Sequence, residues 1–230
     1  MTKCRILAAG IGAGGAFFFA VGLATNGVAR MLAWYVTLAC TLSAFAYLTN
    51  RPGIYGKSDG RLVPWRAVAT LPFLVAYGIA ALIRTSMRSY ATWNEVEPGL
   101  FVGGRVPAAE LPPGIARVVD FTSEISAPAD VRCHSGYRSH PVLDGGWPPD
   151  ETSFTALVRE LAGESGPLYL HCISGRGRAP TAAAAVLLAR GTAGDVATAV
   201  ELVKKGRPAT ALTHTDLAFL ERVAPQLTGP

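Results

Sequence analysis

Three stretches of this chain carry no charged residue: Ile6 to Val28, Met31 to Asn50 and Ala67 to Ile83. Away from water a backbone must satisfy its own hydrogen bonds, which for a single apolar segment means an α-helix. The first two stretches reach the roughly 20 residues that a bilayer span requires, and the third is at the short limit. Charge divides at the same place. Residues 1–91 hold nine Lys or Arg against one acid, Asp59, whereas residues 92–230 hold twelve against fifteen. The overall charge of +5 therefore belongs to the apolar part. The expected organisation is a membrane region over 1–91, with two or three transmembrane helices, and a second domain over 92–230. No basic stripe interleaved with aromatics occurs in the second half, so nucleic acid is not an expected partner. A cleaved signal peptide does not fit, because the first apolar stretch is long and two more follow.

The first stretch contains Gly10-Ile-Gly12-Ala-Gly14-Gly15, the glycine pattern of a dinucleotide-binding turn. Apolar sequence simply continues through Phe17-Phe18-Phe19, and no acid appears before Asp59 to hold a ribose. Close helix packing through Gly10 and Gly14 is the better account.

The second half carries the chemistry. Leu168-Tyr-Leu-His171-Cys172-Ile173-Ser174-Gly175-Arg176-Gly177-Arg178 is an apolar run ending in a cysteine loop. Pro167–His171 predicts a short buried strand, and Ala179–Arg190, closed by Gly191, predicts a helix with Pro180 in its first turn. A loop of this length between strand and helix can wrap a tetrahedral oxyanion. Its amides form a nest, the arginine forks onto two oxygens, and the thiolate lies beneath the central atom. The helix N-terminus favours both anions. A Cys–Arg pair at this spacing alone means little. Adding His before the Cys and Gly three after it lowers the chance occurrence to on the order of 6 in 10,000 chains.

His171-Cys172-x-x-Gly175-x-x-Arg178 resembles the signature of the cysteine-dependent protein tyrosine and dual-specificity phosphatases, in a membrane-anchored, bacterial-type form. The similarity runs from about Trp93 to Leu227. Trp93–Gly104 looks like the family's opening strand pair, Gly114–Glu124 like its next buried strand and turn, and Pro141–Gly145 like its acid loop. The resemblance implies that Cys172 attacks phosphorus, Arg178 holds the equatorial oxygens and Asp144 protonates the leaving oxygen. His171, Ile173, Ser174, Gly175, Arg176 and Gly177 would complete the substrate-binding loop, with His171 orienting it. Asp150 is the rival acid, since Trp147-Pro-Pro-Asp150 resembles the Trp-Pro-Asp loop of larger members; it also stands where a first-turn carboxylate belongs. Ala179 departs from the family, which usually has Ser or Thr there to ease departure of the thiolate. A slow second step and an accumulating phosphoenzyme are expected. No cofactor is implied, and four cysteines without close paired spacing argue against zinc.

Alternating strands and helices imply an α/β fold: a three-layer phosphatase domain with a central sheet, preceded by the α-helical transmembrane region. Ala193–Lys205 predicts an amphipathic helix closed by Gly206. Thr213-His-Thr-Asp216 predicts a capping box for a last helix starting at Leu217 and ending before Pro225. Cys133 falls in a strand-like stretch and is a candidate oxidation partner for Cys172. Cys4 and Cys40, at apolar segments, read as small hydrophobes.

The expected function is phosphomonoester hydrolysis at the membrane through a phosphocysteine. The substrate is a phosphorylated protein or, alternatively, a lipid phosphate such as a phosphoinositide or phosphatidylglycerophosphate. A catalytically weak phosphate-binding membrane scaffold is a second alternative; sulfur transfer of the rhodanese type is disfavoured by the loop and the upstream acid. A reduced thiolate favours a cytoplasmic domain. Three full crossings would then put six basic residues outside against three inside, the reverse of the positive-inside rule. If Ala67–Ile83 dips in without crossing, broken by Pro72, every basic cluster except Arg30 becomes cytoplasmic.

Overall fold

The structure, a computed structural model, describes residues 2–147 and 151–228. Two long apolar helices come first, α1 (Lys3–Ala24) and α2 (Gly27–Thr49), packed on each other as a hairpin. Both are long and apolar enough to cross a membrane. Their outward faces carry exposed Phe17, Phe19, Leu23, Met31, Leu38 and Leu48, the reverse of a core helix in water. A small hairpin, β1 (Lys57–Ser58) with β2 (Arg61–Leu62), follows. The third apolar stretch is two helices, α3 (Pro64–Ala69) and α4 (Leu71–Ser86). Pro72 lies in the first turn of α4, where it starts a new helix instead of continuing the old one.

The second half is a five-stranded sheet of β3 (Trp93–Glu97), β4 (Leu100–Gly103), β5 (Arg117–Thr122), β6 (Tyr137–Val142) and β7 (Leu168–His171). Its order is β3-β4-β7-β5-β6, antiparallel at the β3 edge and parallel elsewhere. The short α5 (Ala129–Arg132) precedes β6. Against one face lie α6 (Thr152–Ala162), α7 (Arg178–Ala189), α8 (Val196–Gly206) and α9 (His214–Leu227). Central β7 is buried along its whole length and α7 almost so, which is why both read as continuous apolar runs. The main core runs between them from Leu100 and Phe121 to Phe154, Val200 and Phe219. A smaller core joins the N-terminal helices to the acid loop, with Ala8, Tyr47 and Tyr55 against Leu143.

Several expected details are corrected. Cys133 closes α5 and is not in a strand. Helix α8 begins at Val196, not Ala193, because the Asp195 carboxylate accepts the Thr198 N–H at 2.7 Å and sets the cap there. The Thr213–Asp216 capping box forms, but α9 starts at His214 and runs through Pro225. The bond that proline removes belongs to the carbonyl of solvent-exposed Glu221, while Val223 and Leu227 keep the last turns on the core.

Candidate active site

Residues 172–177 leave the C-terminal end of β7 and enter α7 at Arg178, so the loop sits at the end of the central strand. Its conformation comes from outside contacts on its carbonyls. The Ile173 carbonyl accepts from the Arg105 amide at 3.1 Å and the Arg176 carbonyl from the Ala211 amide at 2.7 Å. Arg207 takes the two between, with Nη2 on the Ser174 carbonyl at 3.2 Å and Nε on the Gly175 carbonyl at 2.6 Å. Turning these carbonyls outward turns the amides inward, and among the described residues none of the amides of residues 173–177 donates to a backbone carbonyl. Gly175 has φ +65°, and a Cβ there would run into the Gly103 carbonyl, so only glycine lets the loop close on β4.

Arg207 is fully buried and is also held by the Asn94 side chain at 2.7 Å. It was not foreseen from the sequence, where it stands as one more basic residue after a helix end. The only signal was an arginine beside Gly206 and Pro208 at the close of an amphipathic helix, which does not identify a loop anchor.

Arg178 is buried, and its Nη1 donates to Glu124 Oε2 at 3.0 Å, to the Val142 carbonyl at 2.6 Å and to the Phe121 carbonyl at 3.3 Å. Nη2 lies 3.3 Å from the Tyr77 hydroxyl, and Nε has no protein partner among the described residues. The guanidinium is thus fixed through one end with Nε left for a ligand. Glu124, fully buried, is the hub. Its Oε1 also accepts the Tyr47 hydroxyl at 2.9 Å and the Asp144 amide at 2.7 Å. The sequence shows Glu124 only as an acid closing a buried strand.

Asp144 follows β6 and lines one cavity of about 210 Å³ together with Cys172, Ile173, Ser174, Arg176, Gly177 and Arg178. Gly175 belongs to the same loop through its backbone. His171 does not line this cavity. It is buried behind the loop, its Nδ1 4.0 Å from Asp120, so it supports the strand end and is not a wall of the site. Burial pushes the His171 imidazole down and outweighs the neighbouring Asp120 carboxylate. Asp120 in turn holds the buried Lys57 ammonium at 2.7 Å and the Tyr137 hydroxyl at 3.0 Å. Arg176 is pinned at the cavity mouth, Nε on the Ala209 carbonyl at 3.2 Å and its guanidinium over the Tyr90 ring. Asp150 lies outside the described residues.

The first 91 residues reach the site directly. Lys3 Nζ is 2.7 Å from Asp144 Oδ1, and Arg84 Nη1 is 3.6 Å from Oδ2. Asn50 donates to the Trp147 carbonyl. Burial pushes the Asp144 carboxyl up, but Arg178, Lys3 and Arg84 outweigh it and hold the group below the usual carboxylate range. Cys133, by contrast, precedes the N-terminal end of β6 while Cys172 follows the C-terminal end of β7. In a parallel sheet these are opposite edges, so the two thiols do not meet.

The arrangement joins an amide nest, a thiol, an arginine and a carboxyl around one anion-sized space. The family model of the DSP-PTPase phosphatase domain of Swiss Army Knife proteins (PTP-SAK) matches residues 107–224, just over half the chain. Similar solved structures include Tk-PTP in the active form (20% identity, TM-score 0.50, covering 59% of this chain and 97% of that one). Human DUSP28 is similar at 18% identity (TM-score 0.49, 60% and 97% covered), as is PTPMT1 in complex with PI(5)P at 15% (TM-score 0.49, 60% and 97%). No curated protein matches the sequence. The likeness to Tk-PTP shows a shared fold.

Proposed function

The chain belongs to the DSP-PTPase phosphatase domain family and is a cysteine-dependent phosphatase, and we propose from this premise that Cys172, Arg178 and Asp144 are its catalytic residues. The Cys172 thiolate attacks phosphorus, the S–P bond forms as the P–O bond to the leaving group breaks, and the Asp144 proton passes to the departing oxygen. Water then attacks phosphorus, Asp144 takes its proton, and the S–P bond returns its electron pair to sulfur. Inward amides and Arg178 Nε stabilise the equatorial oxygens throughout. The observation that carries this reading is the set of outward carbonyls, at residues 173–176, that turns the loop amides into the cavity holding Cys172.

The substrate is a phosphorylated protein or lipid near a bilayer. The anchoring we propose is a two-span hairpin of α1 and α2. Support comes from its two ends, Lys3 and Asn50, which both touch the acid loop, so the chain enters and leaves the membrane on the catalytic side. Helix α4 lies along the surface without crossing. Its Leu71, Val75, Ile79 and Leu82 form an exposed stripe, while Tyr77 and Arg84 face the site. Every basic residue of 1–91 except Arg30 then shares the side of the catalytic domain, which the positive-inside rule makes the cytoplasm. Residues 1–91 and 92–230 thus differ in composition but contribute to one site.

The test is hydrolysis of para-nitrophenyl phosphate by the full chain in detergent micelles beside Cys172→Ser. Turnover should fall by about 10⁴-fold or more with the serine, as expected when a covalent nucleophile is lost. Equal turnover in both proteins would remove the thiolate mechanism. A second reading, a weak phosphate-binding scaffold, is favoured by Ala179. The next hydroxyl in α7, Thr181 Oγ1, is committed to the Gly177 carbonyl at 3.0 Å and does not replace the missing one. Vanadate binding by a folded protein without turnover would select that reading.

A further inference from the structure

Four cations line the cavity, and they are not equivalent. Arg178 is fixed to Glu124 and serves the cysteine loop, and Arg176 is fastened to the Ala209 carbonyl and Tyr90. Lys3 and Arg84 share a single anionic partner, Asp144, and their side chains remain 41% and 45% exposed. The other carboxylate in the wall, Asp216, is taken by the Trp147 indole N–H at 2.8 Å and by the Thr213 cap. Two half-exposed cations therefore share one carboxylate beside the reaction centre, and among the described residues no other carboxylate is paired with either.

Their placement has a structural cost. Lys3 stands in the first turn of α1, the end at which a helix disfavours a cation. Its stem lies over Gly145, where φ is +82° and a Cβ would come within 2.8 Å of the Lys3 Cβ, so the acid loop is shaped to receive it. Both residues also flank apolar stretches. Lys3 comes just before the charge-free run from Ile6, and Arg84 just after the one ending at Ile83. That is the depth of lipid phosphates when α1 is embedded.

We propose that Lys3 and Arg84 form a second anion subsite next to the cysteine loop, so that the preferred substrate is a phosphomonoester carrying a second phosphate group, ester or diester. This rests on the phosphatase reading above. With the reacting phosphate on the loop amides and Arg178, the second one draws Lys3 and Arg84 off Asp144. Losing those cations favours the protonated carboxyl that the leaving oxygen needs, so the subsite couples recognition to the acid step.

The test uses the full chain and three probes: para-nitrophenyl phosphate, phosphatidylglycerophosphate in phosphatidylcholine vesicles, and its deacylated water-soluble head group. Each of Lys3→Gln and Arg84→Gln should lower kcat/KM on the two doubly anionic probes by about tenfold more than on para-nitrophenyl phosphate, the worth of one charged hydrogen bond. Lys3→Arg should restore most of that preference, which separates charge from folding. In the unaltered protein, faster turnover of vesicles than of the soluble head group assigns the natural source to the bilayer, and the reverse order to a soluble bisphosphate. Either order supports the subsite if the preference falls in the variants. Equal losses on all three probes, or a loss confined to vesicles, would overturn it while leaving Cys172-dependent turnover, and hence the phosphatase reading, intact.

Discussion

The cysteine loop and the acid loop face each other across one cavity but are held in opposite ways. Residues 172–178 are shaped by Gly103, Arg105, Arg207 and Ala211, all from the sheet domain. Residues 144–147 are held by Lys3, Asn50 and Arg84 from the first 91 residues, with Glu124 and Asp216 as the contributions of the sheet domain. In the proposed mechanism the anion-binding half is held mainly by residues 92–230, with Tyr77 the one contact on Arg178 from the first 91, whereas the proton-donating half depends on Lys3, Asn50 and Arg84. Glu124 is the joint, holding Arg178 with one oxygen and the Asp144 amide with the other. On the proposed reading, phosphate binding rests mainly on the sheet domain, whereas protonation of the leaving group depends on contacts from residues 1–91.

The largest effect that would break this division is at Asp144. Asp144→Asn should lower kcat/KM by about 10²–10⁴-fold on an alkyl phosphate, the usual range for a general acid. The loss should be smaller on para-nitrophenyl phosphate, whose leaving oxygen needs little protonation. The pH profile gives the sign. Only the protonated carboxyl acts as acid, so the rate falls as pH rises through its titration. Because burial is outweighed by Arg178, Lys3 and Arg84, that descending limb lies at lower pH than an ordinary carboxyl would give. Asp144→Asn should remove the limb, and Lys3→Gln should move it to higher pH. If Asp150→Asn removes it instead, the acid role passes to that residue.

A smaller loss tests the other half. Arg207→Ala frees the Ser174 and Gly175 carbonyls, and misplacing the loop by about 1 Å should cost on the order of 10²-fold in kcat/KM. The variant should also weaken inhibition by vanadate, with the position of the descending pH limb unchanged. A shifted limb would show that the two loops are coupled through more than Glu124.

The same division explains what the sequence revealed. Cys172 to Arg178 was legible because everything that defines it is local: an apolar strand, glycines at Gly175 and Gly177, an arginine, and a helix start, all within a dozen residues. Strand β7, helix α7 and the Thr213 capping box were legible for the same reason, whereas the β3–β4 hairpin and β5 came through the family resemblance. Asp144 came only through family resemblance, since one carboxylate in a turn has no periodicity to mark it. Glu124, Arg207, Lys57 and Lys3 were not legible as site residues, because each acts on a partner between 32 and 141 positions away. The buried charges among them, Glu124, Arg207 and Lys57, obey no local rule; pairing across the fold is what makes their burial tolerable. Pro225 misled in the other direction, as a local helix-stopping signal overridden by the packing of Val223 and Leu227.

The smallest expected change concerns the second chemical step, where both loops must act together. Ala179 is fully buried in the first turn of α7, directly after Arg178, and no hydroxyl stands there to stabilise sulfur as the S–P bond breaks. Thr181 does not serve, since its hydroxyl is bonded back to Gly177. Thiolate formation at the attack step does not need that hydroxyl, whereas thiolate departure from phosphorus gains from it. Rapid quench of the unaltered enzyme should therefore show a burst of nitrophenolate followed by slower turnover. Ala179→Ser should raise the slow phase by about tenfold, the worth of one hydrogen bond to a charged group, and leave the burst rate nearly constant. No burst in the unaltered protein would mean that breakdown of the phosphocysteine is already fast. Attack of Cys172 on phosphorus would then limit the rate in place of its release.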